Sequence, residues 1–173
     1  LLALLACISS FYMASKGAPN LTLLLHTLIG AALVGGGVNA LNQFIERDLD
    51  AKMDRTKNRP LPSGRLANKK ALVFGALLSF IGVLHLLFFV NSITSLLSFL
   101  IVVTYALIYT PLKRITPLNT FVGAIPGALP VLIGWTAANP VLNLQAGILF
   151  LIIFVWQIPH FLSIAWVYRE DYL

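Results

Sequence analysis

Uninterrupted apolar stretches of about twenty residues constrain this chain more than any other feature of its sequence. A helix needs about 20 apolar residues to cross the hydrocarbon core of a bilayer. Six stretches approach or exceed that length between short polar segments: residues 1–15, 20–44, 70–91, 93–111, 118–138 and 143–168. The apolar residues run continuously instead of alternating with polar ones, which disfavours the strands of a membrane barrel. The sequence therefore predicts an all-α, multi-spanning transmembrane helical bundle.

The composition agrees with this class and excludes a soluble domain. Hydrophobic residues make up 58% of the 173 residues, and charged residues make up 10%. Such a chain would expose too much apolar surface to stay dissolved in water. We expect residues 1–173 to form one membrane-embedded domain with the lipid bilayer as its solvent. The chain begins inside an apolar run and ends in a polar segment, so we expect it to be truncated at both ends.

The distribution of charge predicts how the bundle is oriented. A net charge of +6 in a soluble protein would suggest a nucleic-acid partner. Here eleven of the twelve Lys and Arg residues follow the second, fourth or sixth apolar segment. Loops after even-numbered helices share one side of the membrane, and an excess of Lys and Arg marks the cytoplasmic side. We therefore expect no nucleic-acid partner, and we expect a bacterial inner-membrane protein with these loops in the cytoplasm; the mitochondrial inner membrane, with the loops in the matrix, is the alternative.

The acidic residues, all six of which lie on that same side, predict a metal site. Asn42, Glu46, Asp50 and Asp54 recur every four residues, and on a helix they would form one polar stripe. Carboxylates at this spacing repel each other unless a cation lies between them. Oxygen ligands suit Mg²⁺, which also binds substrate phosphates. The pattern predicts a Mg²⁺ site at Asn42, Glu46 and Asp50, with Asp54 as a further candidate ligand. We expect residues 46–69 to form a cytoplasmic catalytic loop.

Basic residues follow directly behind the acidic stripe. They are Arg55, Lys57, Arg59 and Arg65. Such side chains bind phosphate oxygens, and Arg does so with two parallel hydrogen bonds. A metal and arginines together indicate a clamp for a diphosphate. The alternative is a solvated helix end followed by an ordinary positively charged cytoplasmic loop.

Two sequence elements resemble motifs of the intramembrane (UbiA-type) prenyltransferase superfamily. Asn42-x-x-x-Glu46-x-x-x-Asp50, followed by the run Asn58 to Gly64, resembles its first aspartate-rich motif, which implies binding of a prenyl diphosphate with Mg²⁺. Glu46 departs from that motif, where Asp is more usual, but it keeps a carboxylate one methylene further out.

The second element is Tyr109-x-x-x-Lys113-Arg114, which resembles the superfamily's Tyr-x-x-x-Lys element. This resemblance implies catalytic roles for Tyr109 and Lys113, alongside Asn42, Glu46 and Asp50, and diphosphate binding by Lys113 and Arg114. An interfacial tyrosine with a basic flank is the alternative. Asp171 falls where the superfamily has its second acidic motif, which makes it a further candidate metal ligand.

Longer stretches resemble one branch of that superfamily, the protoheme IX farnesyltransferases or haem O synthases. They are Asp54 to Leu61, Gly123 to Trp135, Trp156 to Phe161 and Tyr168 to Tyr172. The resemblance implies transfer of a farnesyl group from farnesyl diphosphate to a vinyl group of haem B, with Mg²⁺ as cofactor. It makes the haem A synthase and the assembly machinery of terminal oxidases candidate partners. Members of this branch have nine helices, which implies that about three are absent from this chain.

One histidine is well placed for a haem substrate. At about 1.5 Å rise per residue, His160 lies some 12 Å from the cytoplasmic end of the sixth segment, whereas His26 and His85 lie more than about 20 Å from the acidic side. Gln157 lies one turn from His160, and polar pairs inside a membrane are usually functional. We predict that His160 and Gln157 contact haem; a structural histidine bonded to a neighbouring helix is the alternative.

Two other functions remain open from the sequence. The first is prenyl transfer to an aromatic acid or quinone precursor, which shares the acidic motif but not the stretch Trp156 to Phe161. The second is a non-catalytic transporter of a phosphorylated lipid, although transporters tend to carry ionisable groups near the bilayer midplane.

Glycines and prolines predict local packing. Gly35, Gly36 and Gly37 should permit close helix contact. Pro126 and Pro130 should bend the fifth segment beside a cavity.

Overall fold

The computed structural model describes residues 1–112, 116, 119–167 and 169, and these residues form a helical bundle. The elements are α1 (Leu2–Ala14), α2 (Leu21–Asp50), α3 (Asn68–Phe89), α4 (Ser92–Ile101), a π-helical segment (Val102–Tyr109), α5 (Thr110–Leu112), α6 (Asn119–Ala138) and α7 (Leu144–Val167). Within the described ranges there is no β-strand. The predicted all-α class is confirmed, and each of the six predicted segments contains a helix.

The helices have the length and surface of membrane spans. Among the described residues, five helical stretches are long and apolar enough to cross a bilayer: α2, α3, the continuous stretch Ser92–Leu112, α6 and α7. The shorter α1 is also apolar. Large apolar side chains point outward, such as Phe88 at 75% exposure and Leu144 at 77%. A surface of this kind is stable in hydrocarbon rather than in water, so the chain is an integral membrane protein.

Helix α2 is longer than the sequence predicted, and this changes the boundaries of the acidic region. Its N-terminus is capped by Asn20, whose side chain accepts a hydrogen bond of 3.0 Å from the backbone N–H of Leu23. It then continues to Asp50, six residues beyond the predicted end. Residues 46–50 therefore belong to the helix, and the segment joining it to α3 comprises residues 51–67 instead of 46–69.

Close packing of α2 on α3 depends on glycine. A Cβ atom on Gly37 would lie 2.6 Å from the backbone nitrogen of Ser79 and 2.7 Å from the carbonyl oxygen of Gly75. Any side chain at Gly37 would therefore push the two helices apart. The predicted close contact is confirmed at Gly37, whereas Gly35 faces open space.

The fourth span is not the single regular helix that the sequence predicted. Most of its C-terminal half, Val102–Tyr109, is π-helical, and the N–H of Thr110 bonds to the carbonyl of Tyr105 five residues earlier. Pro111 follows directly and has no N–H to continue a regular ladder. π-Helical turns of this kind are rare and are frequent at functional sites.

Helix α6 lies at the centre of the bundle and packs against α1, α4 and α7. Its buried face includes Ala124 and Ala128, both fully buried, and Ile133 at 1% exposure. Pro126 and Pro130 both lie inside this helix. The arrangement places the prolines of α6 beside the interior of the bundle.

Candidate functional site

Two carboxylates are buried at the C-terminal end of α2. Glu46 is 6% exposed and Asp50 is 4% exposed, and they lie one helical turn apart on the same face. Asn42 lies one turn earlier on that face and is half-buried. Burying carboxylates is costly unless cations or hydrogen-bond donors compensate their charge. Asn42, Glu46 and Asp50, three of the four residues of the predicted stripe, therefore share one helix face, and we call these three residues the acidic stripe.

The segment after α2 folds back and brings a cation to the acidic stripe. The Thr56 hydroxyl donates a 2.9 Å hydrogen bond to the backbone carbonyl of Asp50. Thr56 and Leu61 are 1% and 6% exposed, so both anchor the segment against the bundle. Between them, Arg59 donates through Nη1 to the Asp50 carboxylate at 2.9 Å. Of the predicted diphosphate-binding residues, Arg59 is thus in contact with the acidic stripe.

The neighbouring charged residues lie further out in the same segment. Asp54 comes after the end of α2, so it does not continue the helical stripe; it pairs with Lys57 at 2.5 Å. The hydrogen bond and the positive charge of Lys57 hold the pKa of Asp54 below its ordinary value. Arg65 donates to the carbonyl of Asn58 and to Ser63 Oγ, and Arg55 is exposed to solvent.

The fourth span meets the acidic stripe at Asn42. The side-chain Nδ2 of Asn42 lies 3.3 Å from the hydroxyl of Thr110, and Thr110 is fully buried. Tyr109 lies next to Thr110, and a Cβ on Gly123 of α6 would lie 2.6 Å from its ring. The same ring stacks against Phe161 of α7, with 6.1 Å between centroids. The ends of four helical stretches therefore converge around the stripe.

Three predicted site residues cannot be placed in this geometry. Lys113, Arg114 and Asp171 lie outside the described residues. Their roles as diphosphate-binding or metal-binding residues stay predictions.

An apolar cavity of about 540 Å³ lies in the bundle beside this convergence. Such a volume is within the range of about 300–1,000 Å³ found for small-molecule sites. Apolar side chains from five helical stretches line it, together with the polar side chains of Asn39, Tyr105 and Gln157. Pro126 and Pro130 are also in its wall, so the predicted cavity beside these prolines is confirmed.

The two residues predicted to contact haem lie at or near this cavity. Gln157 lines it and donates a 3.3 Å hydrogen bond to the carbonyl of Gly127. His160 stacks on Trp156 with 4.8 Å between ring centroids and 12° between planes. Trp156 itself lines the cavity, so His160 borders it through that ring.

The other two histidines form a separate cluster. A ring nitrogen of His26 lies 3.3 Å from a ring nitrogen of His85, and both rings stack on Phe89. His26 lies near the N-terminus of α2 and His85 near the C-terminus of α3, so the pair is at the end of the bundle opposite the acidic stripe.

The oxygen atoms of the acidic stripe suit a hard divalent cation. In the described part of the chain, no three His, Cys, Asp or Glu side chains converge as a ready-made metal cage. The stripe offers two carboxylates and one amide oxygen from a single helix face. Mg²⁺ usually takes one or two carboxylates and completes its coordination with waters and substrate phosphates. The residues therefore fit Mg²⁺ bound together with a phosphorylated substrate.

Three residues of the site escaped the sequence interpretation. No local sequence pattern marks Thr56 or Thr110, because their roles depend on contacts with backbone and side chains elsewhere in the chain. Tyr105 had a weak signal, since it precedes Tyr109 by one turn and the two rings lie 5.2 Å apart.

The sequence is similar to those of proteins named protoheme IX farnesyltransferase. The protein from Solibacter usitatus is 50% identical over 153 residues, which cover 88% of this chain and 52% of that protein. That from Flavobacterium johnsoniae is 46% identical over 151 residues, covering 87% and 50%. That from Koribacter versatilis is 42% identical over 174 residues, covering 99% and 56%. The chain thus spans about half the length of these relatives.

Solved structures share the fold. A UbiA homologue from Archaeoglobus fulgidus, bound to DMAPP and Mg²⁺, matches with a TM-score of 0.81 at 15% identity, covering 97% of this chain and 61% of that one. A digeranylgeranylglyceryl phosphate synthase matches with a TM-score of 0.77 at 22% identity, covering 90% and 54%. Residues 3–173 match the UbiA prenyltransferase family as a whole. The chain therefore belongs to the UbiA prenyltransferase family.

Proposed function

We propose that the protein transfers a farnesyl group from farnesyl diphosphate to the vinyl group of haem B (protoheme IX) and so makes haem O, a step toward the haems of terminal oxidases. One observation carries the proposal: buried Glu46 and Asp50, with Arg59 bonded to Asp50, lie where helix ends converge beside an apolar cavity of about 540 Å³. A prenyl diphosphate matches this arrangement, because it has a charged diphosphate head for the charged residues and an apolar chain for the cavity. The names of the relatives from Solibacter usitatus and Flavobacterium johnsoniae support haem as the acceptor.

The charged head would lie at the acidic stripe. The Arg59 guanidinium has five N–H donors, so it can bind phosphate oxygens while it remains beside Asp50. Arg55, Lys57, Lys113 and Arg114 are proposed as further diphosphate-binding residues, and Tyr109 as a catalytic residue at the head of the cavity. The apolar chain would extend between α1, α2, α6 and α7.

Asn42, Glu46 and Asp50 would hold Mg²⁺, with Asp54 and Asp171 as further candidate ligands. When bound, Mg²⁺ supplies positive charge that stabilises the departing diphosphate. The UbiA homologue from Archaeoglobus fulgidus that shares this fold was solved with DMAPP and Mg²⁺ bound, which supports a metal as part of the proposed reaction.

The reaction is an electrophilic alkylation. The bond between C1 of the farnesyl group and the diphosphate oxygen breaks, and the electron pair leaves with the diphosphate. The vinyl π electrons of haem then form the new bond to C1. Water adds to the resulting cation and loses a proton, which gives a hydroxyethylfarnesyl side chain.

The chain's own residues serve this chemistry in two ways. Basic side chains such as Arg59 take up the negative charge that develops on the leaving group. The apolar cavity wall keeps water away from the allylic cation until it has reacted with haem. His160 and Gln157 are proposed to orient the porphyrin, because Gln157 lines the cavity and His160 stacks on a residue of its wall.

The location is proposed from the charge distribution. Eleven of the twelve basic residues follow the second, fourth or sixth apolar segment of the sequence, which supports a bacterial inner membrane with the acidic stripe at its cytoplasmic face. The haem A synthase and the machinery that assembles terminal oxidases are proposed partners, because they would use the product.

Pigment analysis tests the proposed reaction. Membranes containing the full-length protein are supplied with farnesyl diphosphate, haem B and Mg²⁺, and the extracted haems are separated by chromatography and mass. Haem O should accumulate only when all three are present. Unchanged haem B together with prenylation of an added aromatic acid would assign the protein to the other acceptor class. Unchanged haem B, together with movement of intact farnesyl diphosphate from one side of a sealed vesicle to the other, would favour transport.

A further inference from the structure

We infer that Thr110 is a positioning residue that fixes the orientation of the Asn42 side-chain amide, so that its oxygen is the atom available for a cation. This inference rests on the proposed function, since it concerns the ion that accompanies the diphosphate. Two contacts carry it. The Thr110 hydroxyl lies 2.8 Å from the carbonyl oxygen of Tyr105, and Asn42 Nδ2 lies 3.3 Å from that same hydroxyl.

The number of available protons decides which atoms donate in these two contacts. A threonine hydroxyl has one proton to donate, and a carbonyl oxygen has none. The hydroxyl must therefore donate to Tyr105, and toward Asn42 it acts only as an acceptor. The NH₂ group of Asn42 satisfies that acceptor. The reversed amide would place two oxygens 3.3 Å apart with no hydrogen between them, which is unfavourable in a buried site.

The orientation matters because only one end of the amide can bind a metal. Mg²⁺ takes oxygen ligands, and the NH₂ group of an amide has no lone pair to offer it. With the NH₂ group held by Thr110, the Asn42 oxygen is left on the helix face that also carries Glu46 and Asp50. A second contact of this kind, behind a metal ligand, typically raises metal affinity by about 10–100-fold.

The π-helical segment keeps the hydroxyl proton on Tyr105. The Tyr105 carbonyl receives the backbone N–H of Thr110 as well as its hydroxyl, so both donors come from one residue five positions later. Thr110 is fully buried, which keeps water from competing for the hydroxyl. The departure from regular α-helix thus has a consequence at the acidic stripe, on a residue 68 positions away in the sequence.

Substitutions that separate the hydroxyl from the shape of the side chain test the inference. Thr110→Val keeps the volume and removes the hydroxyl, and Thr110→Ser keeps the hydroxyl. Thr110→Ala is tested in parallel because, unlike valine, alanine places no methyl group against the Tyr105 carbonyl. Thr104→Val is the matched control, because Thr104 lies in the π-helical segment that precedes Thr110 and its hydroxyl donates to the Leu100 carbonyl at 2.6 Å.

The readout is binding of a non-hydrolysable farnesyl thiodiphosphate to the full-length protein in detergent, followed by calorimetry as Mg²⁺ is varied. In Thr110→Val and Thr110→Ala the Mg²⁺ concentration for half-maximal binding should rise by about 10-fold or more. In Thr110→Ser and Thr104→Val it should stay within about threefold of wild type. Thermal unfolding of the metal-free proteins is measured on the same samples, since a purely structural role would lower stability without changing the Mg²⁺ requirement.

The possible failures are distinguishable. Wild-type Mg²⁺ dependence in either Thr110→Val or Thr110→Ala overturns the positioning role while leaving the proposed function intact. Analogue binding by the wild-type protein that needs no Mg²⁺ overturns both. A Mg²⁺ requirement raised as much in Thr104→Val as in Thr110→Val assigns the effect to the helix, and this too overturns the role of Thr110.

Discussion

Arg59 Nη1 lies 2.9 Å from Oδ2 of Asp50, so the segment after α2 returns a guanidinium to the carboxylate at the end of the helix it has just left. The carboxylate is buried, whereas 35% of the Arg59 side chain is exposed. One side of the guanidinium therefore neutralises Asp50 and the other side remains accessible to an anion. This pair would join the proposed metal-binding and diphosphate-binding parts of the site.

Arg59→Ala should lower the affinity for a farnesyl diphosphate analogue by about 10- to 100-fold, since hydrogen bonds to charged groups contribute about 1.5–3 kcal/mol. The affinity of Arg59→Lys should lie between those of wild type and Arg59→Ala, because an ammonium cannot form the two parallel bonds of a guanidinium. Calorimetric titration of the purified variants measures both. Arg65→Ala is the control, since Arg65 bonds within the segment to Asn58 and Ser63. Equal losses in Arg59→Ala and Arg65→Ala would argue against a specific role for Arg59.

Asp50→Ala and Asn42→Ala should each abolish product formation while the protein still inserts into the membrane, because each removes a proposed Mg²⁺ ligand from the acidic stripe. Glu46→Asp should be tolerated, since it restores the carboxylate more usual in the family motif. Product yield at matched expression and saturating Mg²⁺ is the measurement. Asp48→Ala provides the comparison, because the Asp48 side chain is 72% exposed and pairs with Arg47. Near-normal turnover in Asp50→Ala or Asn42→Ala would exclude the proposed metal site.

Lys57→Ala should raise the pKa of Asp54 toward the ordinary aspartate value of about 3.9. The Asp54 pKa is lowered in the folded protein by Lys57. The pair therefore stabilises the folded state above the ordinary pKa, and that contribution is lost as the pH falls through the lowered pKa. Both side chains are largely exposed, so the effect on stability should be small and should weaken with salt.

A carbon-13 titration of labelled aspartate carboxylates measures the Asp54 pKa directly. Lys52→Ala, which removes another exposed lysine of the same segment, should leave the Asp54 titration unchanged. An Asp54 titration that is the same in Lys57→Ala as in wild type would mean that the ion pair does not form in solution.

Gly37→Ala should destabilise the bundle by about 1–3 kcal/mol, the usual effect of forcing extra volume into a packed interior. The new methyl would lie 2.6 Å from the Ser79 nitrogen, and backbone atoms of α3 cannot move aside as a flexible side chain would. Gly35→Ala is the control, because nothing lies within 4 Å of its added carbon. Thermal unfolding in detergent compares the two. A lower melting temperature in Gly35→Ala than in Gly37→Ala would contradict the packing of α2 on α3.

Local patterns predicted most of this architecture because a membrane span must satisfy its backbone within one segment. Length and hydropathy therefore locate a helix without knowledge of its neighbours. The same reasoning placed Asn42, Glu46 and Asp50 on one face, since helical periodicity alone decides that. It also included Asp54, which lies beyond the end of α2, because a polar helix end carries no sharp signal for where the helix stops.

Contacts between segments could not be predicted in the same way. The approach of Arg59 to Asp50 depends on how the segment is anchored by Thr56 and Leu61, and neither residue stands out in the sequence. The π-helical turn before Pro111 and the bond from Asn42 to Thr110 depend on the register of two helices. Such registers are set by packing across the whole bundle, not by local composition.

His160→Ala should weaken haem binding and slow farnesyl transfer while leaving the affinity for farnesyl diphosphate almost unchanged. His160 stacks on Trp156, a residue of the cavity wall, so a porphyrin at that wall would lie beside the imidazole. His160→Phe sharpens the comparison, because it keeps an aromatic ring for stacking and removes the ring nitrogens. The haem absorption spectrum and the diphosphate affinity are measured on the same purified full-length samples.

Haem binding that is weak in both His160→Ala and His160→Phe would indicate that a ring nitrogen of His160 binds the haem iron or a propionate. Haem binding that is weak only in His160→Ala would indicate that stacking is sufficient. His26→Ala and His85→Ala should change the binding of neither substrate, since those rings pair with each other at the opposite end of the bundle. A structural His160 would instead reduce binding of both substrates together, in proportion to the loss of folded protein. An unchanged haem spectrum and an unchanged transfer rate in His160→Ala would remove this residue from the site and leave Gln157 as the remaining candidate for orienting haem.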